Sequence, residues 1–280
     1  GRAQTTWSGA QSITSDYTVA VTDELVITAC TNVTIANGAR IYVEGRLTIE
    51  GTNNCPVYFD SDGGQDHMGI VFNSTSNGRG SKIDNLSIVH SVYGITIYSS
   101  DPYLGNVSIY DPDDVGIDLF TGATPIIRDL LIAEAGKDWT FPSYWRYGIG
   151  LSIGDGSAPN VDGVVMTDIT TRGLNFWGNS GGVYRNISIQ GVNGATLAVA
   201  AGVWIEDSRP LIEFLEVNKS DHGVFIRHTD DGLRTRAVMR DVAIKNSMYK
   251  ALVIDKADHL NYTNYQSAVI EGLEISGTGG

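Results

Sequence analysis

Cysteine, proline, long apolar runs and blocks of like charge are all scarce in this chain, and each shortage narrows what it is. Among 280 residues there are 7 prolines against 33 glycines, a balance of many tight turns and not of a Pro-rich disordered segment. The 19 Lys and Arg form no stripe, no run of five or six like charges occurs, and the net charge is −13. Nucleic acid and anionic lipid are therefore not the expected partners. The longest apolar runs, such as residues 195–201, are far too short to cross a bilayer, so no membrane span is expected. The first residues, Gly1, Arg2 and Ala3, do not open a charged region followed by an apolar one. The last, Ser276 to Gly280, come directly after a strand-like segment, and the chain reads as a mature or excised module of a longer protein.

The only two cysteines, Cys30 and Cys55, lie 25 residues apart. That is close to one period of the repeat described next, so stacked coils would bring them within disulfide reach, as befits an oxidising compartment. Hydrophobic residues make up 42% of the chain, enough for a sizeable core.

A short unit of Gly, apolar, any, apolar recurs from residue 69 onward. It begins at Gly69, Gly94, Gly116, Gly150, Gly173, Gly202 and Gly223, and once more with Ala251 in place of glycine. A second unit, apolar-any-apolar, alternates with it and begins at Leu86, Val107, Leu130, Val164, Ile187, Leu215, Val242 and Leu273. Both have the period of strands. First unit to second is 13 or 14 residues in five of eight cases, and the return is 8 or 9 in five of seven, giving a rung of about 22 residues. Such a period marks a solenoid, whose units bury their apolar faces only against neighbours. A leucine-rich repeat would need a helical segment and its Asn-Leu spacing, and a propeller blade would need about 40 residues. The expected fold is an all-β, right-handed parallel β-helix solenoid, the hand following from the preference of parallel crossovers. Residues 1–68 carry a looser pattern and read as an N-terminal cap with the first narrow rungs, and 69–280 as the regular rungs of the same continuous domain.

The residue before each second unit is Asn85, Asn106, Asp129, Gly163, Asn186, Phe214, Asp241 or Gly272, and seven of these eight tolerate a left-handed backbone. Ile83 and Leu86 cannot both face inward in an unbroken strand, so the chain must bend between them. Asn85, Asn106 and Asn186 also begin Asn-x-Ser/Thr triplets, as do Asn32, Asn73, Asn218 and Asn261. At the first three, a structural role competes with glycosylation.

The Gly-Ile-x-Ile and Pro-x-Ile-x-Asn-Val-x-Ile pattern resembles the pectate-lyase-like superfamily of right-handed β-helices. That group includes polysaccharide lyases and hydrolases, phage tailspikes and repeat-bearing surface proteins of bacteria and archaea. The opening, Ile41-Tyr-Val-Glu-Gly-Arg-Leu-Thr-Ile leading into Pro56-Val-Tyr-Phe, is most similar to the non-catalytic surface proteins. The resemblance implies fold across nearly the whole chain and leaves activity open.

For a hydrolase the carboxylates at hand are Asp113, Asp114 and Asp118, the last facing outward between the core residues Ile117 and Leu119. Residues 148–154 resemble a Gly-His-Gly-Leu-Ser-Ile-Gly segment of such hydrolases, with Ile149 where the histidine would stand. For a lyase, Arg128 beside Asp129 and Arg172 near Asp168 are the pairs of base and acid, and neither stands out from ordinary sheet-face charges. The five histidines, 67, 90, 222, 228 and 259, are scattered. Zinc on the histidines is disfavoured against surface or turn positions, and no cofactor is expected; Asp60, Asp62 and Asp66 around a glycine turn are either a Ca²⁺ loop or a plain acidic turn.

Insertions carry function on a repetitive wall. At one corner, 20 residues replace 9 between Leu130 and Gly150, and 15 replace 9 between Ile187 and Gly202. One regular rung separates these two loops, which places them roughly 10 Å apart as neighbouring lips. The first holds Trp139, Phe141, Tyr144, Trp145 and Tyr147, rings that either stack on sugars beside acidic groups such as Asp113 and Asp118 or fold back and pack against the sheet, the commoner fate of aromatics in long loops. The first functional expectation is an extracellular or cell-surface, non-catalytic module that binds glycan or another protein through these loops. The alternative is a polysaccharide lyase or glycoside hydrolase with its active site on the outward sheet face.

Overall fold

The computed structural model describes residues 3–63, 65–137, 147–194, 200–228, 236–256 and 268–277. It is a parallel β-solenoid of about 9 turns, and among the described residues the only helix is a 3-10 turn at Ser74–Ser76. No helix there is long and apolar enough to cross a membrane.

Every pairing between the described strands is parallel, and the register follows the repeat. The glycine-led segments pair in sequence, with Ile95 opposite Ile70 and Ile117, then Leu119 opposite Ile153 and Ile153 opposite Phe176. The asparagine-led segments make a second wall, in which Leu86, Val107, Leu130, Val164, Ile187, Leu215, Val242 and Leu273 lie one above another. The two-strand rung implied by the repeat is incomplete, because the residues before each asparagine form a third wall: Ile83, Leu104, Ile127, Val161, Tyr184, Ile212 and Met239 are stacked and fully buried. The rung is three-sided. Its interior is one continuous apolar column from Ile13 to Ala251.

The corner between the third and second walls is turned by single left-handed residues. All eight positions from Asn85 to Gly272 have φ between 50° and 75°, Phe214 included. Asn85 Nδ2 donates to the Gly51 carbonyl at 3.1 Å and Asn186 Nδ2 to Asp162 Oδ1 at 2.7 Å, so these side chains tie one rung to the one before. A second left-handed residue follows each of the eight after five positions, at His90, Asp111, Glu134, Asp168, Gly191, Lys219, Asn246 and Gly277. The residue types at several of these positions do not advertise it. This second column is the corner between the asparagine-led and glycine-led walls, and it carries the site.

Pairing begins at the N-terminal strands: Ala3–Trp7 lies on Asp23–Thr28, which lies on Arg46–Glu50, and Ile49 pairs with Ile83 of the third wall. A disulfide joins Cys30 to Cys55 across adjacent coils, with Cα atoms 4.8 Å apart.

Candidate functional site

The outer face of the glycine-led wall is unlike an ordinary solenoid surface. One column of outward positions runs Val71, Thr96, Asp118, Ser152, Asn175, Trp204, Phe225 and Val253. Outward residues on a strand ordinarily meet water, yet Asp118 is 3% exposed, Ser152 4% and Asn175 5%. The column changes character along the axis. Its middle is a carboxylate, a hydroxyl and an amide, whereas Trp204 and Phe225 stack at 4.3 Å with planes 5° apart. The Arg172 guanidinium lies 4.1 Å over the Trp204 ring and donates to Asn175 Oδ1 at 2.8 Å. Burial lowers its pKa to about 10, an effect that Glu206 opposes, and it stays cationic at neutral pH.

Along one edge of this floor, at the second left-handed corner, acidic groups converge. Asp113 is hydrogen-bonded through its carboxyl to Asp66, two rungs earlier, and such a bond requires a proton on one of the two. Burial, then the bond to Asp66, then the charges of Asp66, Asp114 and Asp111 raise Asp113 to about 7. Asp114 is buried, which raises its pKa, and a hydrogen bond from Tyr93 opposes the rise. On the rungs below, the buried His67 accepts from the Gly69 amide through Nδ1 at 2.9 Å. Burial lowers it to about 4, so its imidazole is neutral and structural. The neighbouring His90 bonds to Asp60 through Nδ1 at 2.9 Å, which raises its pKa.

The first insertion is rooted on the same spot. Gly136, at its start, donates to the Pro112 carbonyl at 2.8 Å, and Gly148, at its end, to that of Asp113 at 3.4 Å. Both glycines have positive φ, 74° and 61°, and a Cβ on Gly136 would stand 2.6 Å from the Gly148 Cα. Only glycine permits so close a closure. Thr170 and Thr171 of the next rung fasten the base, the former through Oγ1 to Ala135 O at 2.8 Å and the latter through Oγ1 to the carbonyls of Tyr147 and Gly148.

The residues anticipated from sequence are thus distributed unevenly. Asp113 and Asp118 lie on one strand, Tyr103–Phe120, at the corner and on the floor respectively. Tyr147 is half-buried at the insertion's base. Trp139, Phe141, Tyr144 and Trp145 lie outside the described residues. Asp60, Asp62 and Asp66 are divided: Asp60 bonds to His90, Asp66 to Asp113, and Asp62 is exposed with its amide bonded to Ile35 O at 2.9 Å. Among the described residues no three His, Cys, Asp or Glu side chains are grouped as a metal-binding cluster. Asp66 as the partner of Asp113, and the buried floor residues Ser152 and Asn175, were not visible as a site in the sequence, and Arg172, weighed there beside Asp168, is engaged with Asn175 and Trp204.

No family model matches this sequence, and no curated protein matches it. Solved structures do. An alginate lyase from Paenibacillus sp. str. FPU-7 superposes with a TM-score of 0.66 at 14% identity, covering 91% of this chain and 92% of that one. The catalytic domain of a GH87 α-1,3-glucanase in complex with tetrasaccharides matches with a TM-score of 0.46 at 13% identity, and this chain spans 60% of its length. The likeness to the alginate lyase is one of fold.

Proposed function

We propose that this chain is an extracellular enzyme that hydrolyses a neutral polysaccharide held against the outer face of the glycine-led wall. The observation that carries the reading is the Asp66–Asp113 carboxyl pair, beside the root of the insertion and at the edge of a buried polar floor. A carboxyl that keeps its proton near neutral pH is what protonation of a glycosidic oxygen requires. In this mechanism Asp113 delivers its proton to the leaving oxygen as the C–O bond breaks. Water attacks the anomeric carbon and gives its proton to the Asp118 carboxylate, the second acid on the same strand.

Neutral sugars suit the electrostatics better than uronates, since Asp66, Asp111, Asp113 and Asp114 crowd the corner of a chain whose net charge is −13. The alginate lyase, sharing the fold, acts on a polysaccharide by its name, and the Cys30–Cys55 disulfide fits secretion. The non-catalytic module first expected from sequence has less in its favour, because a surface that only binds has no need of a protonated carboxyl pair.

Release of reducing ends from a panel of neutral glucans, mannans and xylans tests the reading. The parent protein should release them and Asp113→Asn should lose about 10²–10³-fold in kcat. Product carrying unsaturated-uronate absorbance would replace hydrolysis with elimination, and binding of a polysaccharide without any product would return the chain to the non-catalytic class.

A further inference from the structure

The glycine-led strands end on a feature that the carboxylate chemistry does not use. The residue after each apolar-any-apolar triplet points outward along the edge of the floor away from Asp113, and on successive rungs it is Tyr98, Phe120, Gly154 and Trp177. Tyr98 and Phe120 are stacked, with centroids 5.2 Å apart and planes 13° from parallel. Trp177 is turned out of that stack, edge-on to Phe120 at 5.9 Å and 71°.

Gly154 explains the turn. A Cβ on Gly154 would lie 2.2 Å from both Cε2 and Cζ2 of Trp177 and 2.7 Å from its Nε1, so the indole lies flat across the bare backbone of the rung below. Its Nε1 donates to Ser152 Oγ at 3.4 Å, which holds the ring toward the floor. The ring is half-buried. Beside it stands Asn175, whose Oδ1 is taken by Arg172, so the amide is oriented with its Nδ2 protons directed away from the guanidinium. A broad aromatic face bordered by a hydroxyl and an oriented amide is the chemistry that recognises a pyranose, whose axial C–H groups stack and whose equatorial hydroxyls bond.

From this we infer that Trp177, seated on Gly154 and flanked by Ser152 and Asn175, is a sugar-stacking subsite, and that the bound polysaccharide runs along the solenoid axis with one residue per rung. The inference rests on the polysaccharide reading above and sharpens it. Successive rungs are about 4.8 Å apart, close to the length of one pyranose residue in an extended chain. Asp118 is separated from Asn175 by two steps of the ladder, through Ser152, or about 10 Å. A sugar stacked on Trp177 is therefore two residues along the axis from the rung that carries Asp118 and Asp113, and a disaccharide cannot span both rungs.

Trp177 fluorescence and calorimetry on the Asp113→Asn protein test the inference, with gluco-oligosaccharides of two to six residues in α-1,3, β-1,3 and β-1,4 linkage as ligands. Affinity should step up by tenfold or more on passing from two residues to the length that reaches Trp177. Trp177→Ala should abolish the step, Gly154→Ala should do the same by lifting the ring, and Trp177→Phe should restore part of it. A chain-length profile unaltered in Trp177→Ala and Gly154→Ala, or no binding of any oligosaccharide in the series, overturns the subsite. The two readings fail separately. An Asp113→Asn protein that remains active while Trp177→Ala flattens the binding profile removes the proposed acid alone, and inactive Asp113→Asn with normal binding by Trp177→Ala removes the subsite alone.

Discussion

Two outer faces of the same solenoid handle polar residues in opposite ways. On the third wall, Arg185, Glu213, Arg240 and Glu271 alternate in sign up the stack, and each pairs with the next at 2.8 to 3.1 Å. That ladder is exposed and satisfied by its own neighbours, and the two arginines hold the Glu213 carboxyl below its ordinary range. On the glycine-led wall, the polar column is buried, changes chemical type on every rung, and adjoins a corner where burial and neighbouring carboxyls raise the pKa of Asp113. Repetition of complementary charge at the rung spacing is a device for stacking. Unlike polar groups, held dry and in fixed orientation, suit a ligand that supplies what the neighbours do not.

The comparison can be broken at several points, beginning with the largest effect. Asp118→Asn should lower turnover of the best polysaccharide substrate by at least about 100-fold, with the melting temperature little changed, as steady-state kinetics and calorimetry would report. An unaltered kcat would make the buried column as structural as the ion-pair ladder. Next comes acid. His67 is held neutral with its pKa lowered from 6.5 to about 4, so the folded chain gains no proton where the unfolded chain does. The stability this confers is complete above pH 6.5 and is lost as pH falls toward 4, amounting to about 3 kcal/mol in urea titrations, and His67→Gln should remove that slope.

Asp113 works in the opposite sense. Its pKa is raised from 3.8 to about 7, so its contribution is whole below pH 3.8 and declines as pH rises through 7. Asp113→Asn should therefore match the parent at pH 4 and exceed it at pH 8, by about 1 kcal/mol after allowance for solvent screening at a half-buried site. The smallest effect belongs to the other face. Glu213→Gln should leave the urea midpoint almost unchanged, and the difference should vanish at high salt, because exposed pairs are screened.

The solenoid was legible in the sequence because its period is written in residue types that backbone geometry demands: glycine opening one strand, and Asn, Asp or Gly at the left-handed turn before another. Even the bend between Ile83 and Leu86 could be argued from parity, although the third wall it creates was not recognised. The second left-handed column is not legible in the sequence because His90, Glu134 and Lys219 occupy it without any compositional signature. The carboxyl pair was hidden for another reason. Asp66 had a plausible local explanation as part of an acidic turn, and only the stacking of corners two rungs apart brings it to Asp113. The aromatic strip does have a signal in the sequence, since Tyr98, Phe120 and Trp177 each stand directly after the glycine-led triplet, and Gly154 is the exception that seats the third.

The pinched root of the first insertion has an evolutionary consequence. Because the backbone leaves the rung at Gly136 and rejoins it at Gly148 within touching distance, the coil count and the alignment of every later strand are indifferent to what hangs between them. Sequence change between those two glycines is thus uncoupled from the scaffold, which keeps its register whatever length is spliced there.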